Sequence, residues 1–77
     1  MTTEKQVMQA IITLCSEVIS FVECINANDV LDDYRMENDD PVSDLINIFL
    51  EAAEECNQRT VDRIVQYAKE WMVDFGA

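Results

Sequence analysis

The chain has 77 residues, of which sixteen are acidic, five are basic and none is histidine, so its net charge at pH 7 is −11. This length predicts a single domain over residues 1–77, whose core alone would stabilise the fold only marginally. So few basic residues argue against direct binding of nucleic acid. Without histidine there is no usual base for a nucleophile, and the three cysteines have no histidine to complete a zinc site, so we predict no catalytic residue, metal or cofactor.

The cysteines and the hydropathy pattern favour a cytoplasmic protein. Cys15, Cys24 and Cys56 are odd in number and form no C-x-x-C pair, which is typical of a reducing compartment. No segment approaches the roughly 20 apolar residues of a membrane-spanning helix. The opening residues "MTTEKQVMQA" lack the basic region and cleavage pattern of a secretory signal. We therefore expect a soluble cytoplasmic chain that does not bind membranes.

One proline and one glycine leave few turn residues, so the sequence predicts an all-α fold, here with three helices. The first helix begins at Thr3, where Gln6 completes a capping-box pattern. Two adjacent apolar stripes then predict a long first helix that continues to Ile25. Their members are Val7, Ile11, Leu14, Val18, Phe21 and Ile25 in one, and Met8, Ile12, Cys15, Ile19 and Val22 in the other.

The two stripes together cover about 180° of the first helix, which is more than one neighbouring helix can cover. A three-helix monomer would leave one strip exposed. We therefore predict a homodimer that forms through Met8, Ile12, Ile19 and Val22. The alternative is that packing of the three helices absorbs both stripes.

The second and third helices are predicted as a helical hairpin. Asp40 suits an N-cap and Pro41 the first helical position. The pattern shifts by about a quarter-turn near Asn57–Arg59, which favours a short connection over one continuous helix. The inner faces are Val42, Leu45, Ile46, Phe49, Ala53 and Cys56 in one helix, and Val61, Ile64, Val65, Ala68, Trp71, Met72 and Phe75 in the other.

Negative charge is concentrated in the middle of the chain, where the sequence predicts an acidic loop between the first two helices. The segment from Glu23 to Glu55 holds eleven of the sixteen acidic residues but only one basic residue, Arg35. Helix capping and solubility explain some of these charges, and a solvated face without a partner is the alternative. We predict a partner-binding surface made of Asp29, Asp32, Asp33, Glu37, Asp39, Asp40, Asp44, Glu51, Glu54 and Glu55.

Two known patterns are only partly matched. Asn26, Asn28, Asp32 and Glu37 occupy ligand positions of a calcium-loop frame, but an apolar residue replaces another ligand, and Leu31 stands where glycine must turn the chain. The segments "TVDRIVQY" and "PVSDL" resemble the acyl carrier protein family, and the resemblance implies a phosphopantetheine group on Ser43. Valine precedes this serine and aspartate follows it, whereas the family has Asp-Ser-Leu.

These features predict a small acidic inhibitor that binds a protein with a basic surface, in particular a nucleic-acid-binding site. Carboxylates on helices and loops can occupy the positions of backbone phosphates. Phage anti-restriction and anti-CRISPR inhibitors, and bacterial nuclease-immunity proteins, are of this physical type. The alternative is a structural or assembly factor, or an adaptor, that binds through its apolar helix face. Salt dependence separates the two, because only a charge-led complex weakens steeply with ionic strength.

Overall fold

The computed structural model describes residues 2–76, with side-chain environments as far as Asp74. This part of the chain is all-helical and has four helices: α1 Glu4–Leu14, α2 Phe21–Glu37, α3 Pro41–Glu54 and α4 Gln58–Gly76. The helix α1 packs on α2 and α4, α3 packs on α4, and α2 meets α3 over a smaller contact. The all-α prediction is confirmed, but the three-helix arrangement is wrong.

The first helix begins as predicted and ends earlier. The Thr3 hydroxyl accepts the Gln6 amide at 3.2 Å, and the Gln6 side chain accepts the Thr3 amide at 2.8 Å, which completes the capping box. The helix stops at Leu14 rather than Ile25. A continuous helix to Ile25 would be about 34 Å long, whereas the whole body measures 29 × 28 × 24 Å. The chain instead turns back and begins a new helix.

The predicted acidic loop is mostly helix α2. Ser20 caps it by accepting the Glu23 amide at 3.1 Å. Its buried face carries Ala27, Leu31 and Tyr34, which pack with α1 residues in the core. The calcium-loop frame lies inside this helix, so its side chains point around the circumference and do not converge on one point.

A hydrogen-bonded corner joins α2 to α3 and confirms Asp40 as the N-cap with Pro41 at the start of the helix. The Asp40 carboxylate accepts the Ser43 amide at 3.0 Å and the Tyr34 hydroxyl at 2.7 Å. The Ser43 hydroxyl donates to the Asn38 carbonyl at 2.8 Å. These bonds fix the orientation of α3 relative to α2.

A short turn separates α3 from α4 as predicted, but it lies at residues 55–57, slightly before the predicted Asn57–Arg59 connection. Cys56 adopts a left-handed conformation with φ of 58°. Its amide donates to the Ala53 carbonyl at 3.2 Å and the next amide, of Asn57, donates to Ala52 at 2.8 Å, as in a Schellman motif. The Asn57 side chain then accepts the Thr60 amide at 3.3 Å and caps α4. Phe75 lies outside the described side chains.

The buried phenol of Tyr34 predicts a loss of stability at alkaline pH. Burial, and then the hydrogen bond to Asp40, raises its pKa from 10.0 to about 12. Because the folded chain holds the phenol proton more tightly than the unfolded chain, Tyr34 stabilises the fold below pH 10. This contribution to the free energy of unfolding is lost as the pH rises to about 12. We expect urea unfolding to show this loss in the parent chain and in a Tyr67→Phe control, since Tyr67 is exposed. In Tyr34→Phe the loss should be smaller; an equal loss in all three would contradict the assignment.

Candidate protein-binding surface

Three carboxylates form a regular row on the solvent face of α2. Asp29, Asp33 and Glu37 are exposed and follow one another at four-residue steps. Each step advances about 6 Å along a helix axis and stays near the same side. The helix therefore fixes the spacing of these charges, which a loop would leave variable.

The one cation of the acidic middle is directed toward α3. Arg35 forms an ion pair with Asp32, the only ion pair in the described part of the chain, and also donates to the Asn47 side chain of α3 at 3.0 Å. Its Nε atom is buried and has no partner. Because the guanidinium is held at the boundary between the two helices, it leaves the outer row on α2 without a neutralising charge.

Acidic residues of α3 continue from this boundary. Asp44 lies three residues before Asn47 and Glu51 four residues after it, so both share its side of α3 and both are exposed. Glu54 and Glu55 are exposed at the C-terminal end of this helix, where its dipole disfavours negative charge. Because Arg35 bonds both Asp32 and Asn47, the side of α3 that carries Asp44 and Glu51 lies next to Asp32 of α2.

Asp40 differs from the other predicted binding residues because the fold already uses its oxygens. It is half-buried, and its carboxylate accepts bonds from Tyr34 and Ser43. The hydrogen bond from Tyr34, followed by that from the Ser43 amide, holds the pKa of Asp40 below its usual value of 3.8. We define the acidic surface as the remaining predicted residues, which are exposed: Asp29, Asp32, Asp33, Glu37, Asp39, Asp44, Glu51, Glu54 and Glu55.

The predicted self-association strip is not a single surface. Met8 is fully buried within the monomer, Ile12 and Ile19 are half-buried, and Val22 is exposed. The cause is the break before α2, which lets α2 and α4 cover α1 from two sides. Self-association stays a prediction, but the exposed strip on which it was based is absent.

The prediction missed exposed apolar residues on the outer side of α2. Phe21, Val22, Ile25 and Met36 face solvent, and Val18 is exposed just before the helix. The sequence signal was the pattern Ser20-Phe-Val-Glu23, which matches the S-x-x-E start of a helix. A new helix beginning there changes which residues face the core.

Ser43, the residue implied by the carrier-protein resemblance, is buried, and its hydroxyl donates to Asn38. Attachment of a phosphopantetheine group there would require this corner of the fold to open. The position therefore differs from an exposed attachment site, and the resemblance receives no support from this geometry.

A cleft of about 510 Å³ opens near the C-terminal ends of α1 and α3, and Cys15 and Cys56 both contribute to its lining. Burial raises the pKa of the Cys15 thiol, and the charge of Asp62 raises it further while Lys69 lowers it. A raised thiol pKa reduces the thiolate population and so the nucleophilicity at neutral pH. The described cysteines are free thiols.

Within residues 2–76 the chain holds neither a metal-ligand cluster nor a membrane-spanning helix. No cluster of three or more histidine, cysteine or acidic side chains in this part of the chain could hold a metal ion. None of the helices within residues 2–76 has the length and apolar content needed to cross a bilayer. Comparisons with protein-family models, curated proteins and solved structures gave no match to this chain.

Proposed function

We propose that this protein is a small non-enzymatic binding module, and that its acidic surface occupies a basic, nucleic-acid-binding site of another protein and thereby inhibits it. The bound partner would supply lysine and arginine side chains that otherwise contact phosphates. The proposal places the module in the cytoplasm and gives it no membrane contact and no direct contact with nucleic acid.

The observation that carries this proposal is the row of Asp29, Asp33 and Glu37 on α2, with Arg35 bonded to Asp32 and Asn47 rather than to the row. Like charges held at about 6 Å intervals repel one another. They also attract a basic surface and increase the rate of association with it. Capping accounts for Asp40 but not for this row, because its three members lie in the middle and at the C-terminal end of α2.

A second function is favoured by the apolar residues exposed on α2. A structural or assembly factor, or an adaptor, would use residues such as Phe21 and Met36 as its main contacts. Such a complex would depend little on ionic strength, in contrast to one held by the acidic surface.

Affinity capture at two salt concentrations tests the proposed function. The immobilised chain is mixed with lysate at about 50 mM and about 500 mM salt, and the retained proteins are identified by mass spectrometry. We expect basic nucleic-acid-binding proteins to be retained at low salt and released at high salt. Retention of the same partners at both concentrations would favour the assembly-factor function and contradict the inhibitor.

A further inference from the structure

The exposed side of α2 carries a second pattern that crosses the acidic row. Val22, Ile25, Asp29, Asp32 and Met36 follow one another at steps of three, four, three and four residues. Steps of this kind place side chains on one seam of a helix, as in the a and d positions of a coiled coil. We call these five residues the α2 seam.

The α2 seam is open to solvent along its length. Val22, Ile25 and Met36 are 64%, 44% and 85% exposed, while Asp29 and Asp32 are also exposed. The core contacts of α2 are made instead by Ala27, Leu31 and Tyr34. An exposed helix side that bears apolar residues at heptad spacing can receive another helix, since knobs of one helix fit holes of the other.

We infer that the α2 seam binds a basic amphipathic α-helix of the partner protein, an inference that rests on the proposed function and specifies its partner. Apolar residues of the partner helix would face Val22, Ile25 and Met36. Lysine or arginine would face Asp29, because a carboxylate covered by a partner requires an opposite charge, and also Asp32, whose side chain stays 55% exposed beside Arg35. This arrangement combines the helix-in-groove mode of recognition with charge complementarity.

The charges of the seam argue against a second copy of this chain as the occupant. In a parallel aligned pair, Asp29 and Asp32 would each face their own counterpart. In an antiparallel pair, where a positions face d positions, the register that sets Ile25 against Met36 also sets Asp29 against Asp32. Both pairings place carboxylates opposite each other, and Arg35 is paired with Asp32 only. Asp29 would be left covered without an opposite charge, which disfavours the homodimer and favours a basic helix.

Designed peptides of about three heptads test this inference. The matched peptide has leucine at the seam positions that face Val22, Ile25 and Met36, and arginine at the two that face Asp29 and Asp32. A scrambled peptide has the same composition and charge but no heptad order. By fluorescence anisotropy we expect the matched peptide to bind about tenfold or more tightly than the scrambled one, with a gain of helicity in circular dichroism.

Variants of the protein test whether peptide binding depends on the α2 seam or only on the overall negative charge. Val22→Ser with Ile25→Ser should weaken binding of the matched peptide about tenfold or more, while the control Tyr67→Ser with Val73→Ser, two exposed positions on α4, should not. Asp29→Lys should weaken binding of the matched peptide about tenfold or more, and Asp32 is left unchanged because it is paired with Arg35. This variant should instead bind a peptide that has glutamate in place of the arginine facing position 29.

Three results would overturn the inference: equal binding of matched and scrambled peptides, no binding of either, or an unchanged affinity in the Val22→Ser, Ile25→Ser variant. None of them would contradict the proposed function, which is tested on the natural partner by its salt dependence. Conversely, the natural complex could prove independent of salt while the matched peptide still binds more tightly than the scrambled one. That result would contradict the inhibitor function and leave the α2 seam as a helix-binding site.

Discussion

Reversal of the charge row on α2 is expected to weaken the complex with a basic partner by about 2–5 kcal/mol. The variant carries Asp29→Lys, Asp33→Lys and Glu37→Lys, which are exposed and make no hydrogen bond or ion pair within residues 2–76. The lysines at positions 33 and 37 lie near the C-terminus of α2, where the helix dipole favours positive charge. The fold should therefore be retained, and its thermal midpoint should be unchanged or higher.

A control with the same change in net charge makes this test specific. Glu17→Lys, Glu70→Lys and Asp74→Lys alter three exposed acidic residues outside the acidic middle. Calorimetry at low salt should show near-parental affinity for this control and a large loss for the α2 variant. Equal losses would mean that net charge, rather than the acidic surface, governs binding.

The second large effect is expected in the core. Leu31→Ala should lower the free energy of unfolding by about 2–5 kcal/mol, because Leu31 is fully buried and its removal leaves a cavity between α2 and the rest of the core. The loss is a large share of the total stability of a small domain. Urea unfolding followed by circular dichroism measures it.

Met36→Ala is the matched control on the opposite side of the same helix. Its side chain is exposed, so we expect a change within about 0.5 kcal/mol. A small effect of Leu31→Ala together with a large effect of Met36→Ala would mean that α2 packs on its other face, and it would contradict the surface on which both proposals depend.

Local signals in the sequence predicted the starts of α1 and α3 but missed the end of α1 and the start of α2. The capping bonds join Thr3 to Gln6 and Asp40 to the Ser43 amide, three residues apart in each case, so these starts could be identified without knowledge of the fold. The turn after α3 was predicted from a shift of the apolar pattern. A glycine often marks such a turn, but here Cys56 adopts the left-handed conformation instead.

The long first helix was wrong because apolar spacing cannot show where a chain turns back. The stripe from Val7 to Ile25 continues through the break, yet its first half faces the core and its second half faces solvent. Tertiary packing decides this difference, because the break between Leu14 and Phe21 lets α2 pack back on α1.

The candidate surface was predictable in composition but not in geometry. The excess of acids between Glu23 and Glu55 is visible in the sequence, whereas the row on α2 depends on the helical state of a segment expected to be a loop. The structural use of Asp40 by Tyr34 also required the fold, because their contact depends on how α2 meets α3.

Competition with nucleic acid tests the central claim most directly. A captured partner is mixed with a labelled duplex or single strand that it binds, and the protein is added while fluorescence anisotropy is followed. We predict complete displacement of the nucleic acid at about 50 mM salt, and its loss in the Asp29→Lys, Asp33→Lys, Glu37→Lys variant. A ternary complex in which protein and nucleic acid are bound together, or equal displacement by that variant, would contradict it.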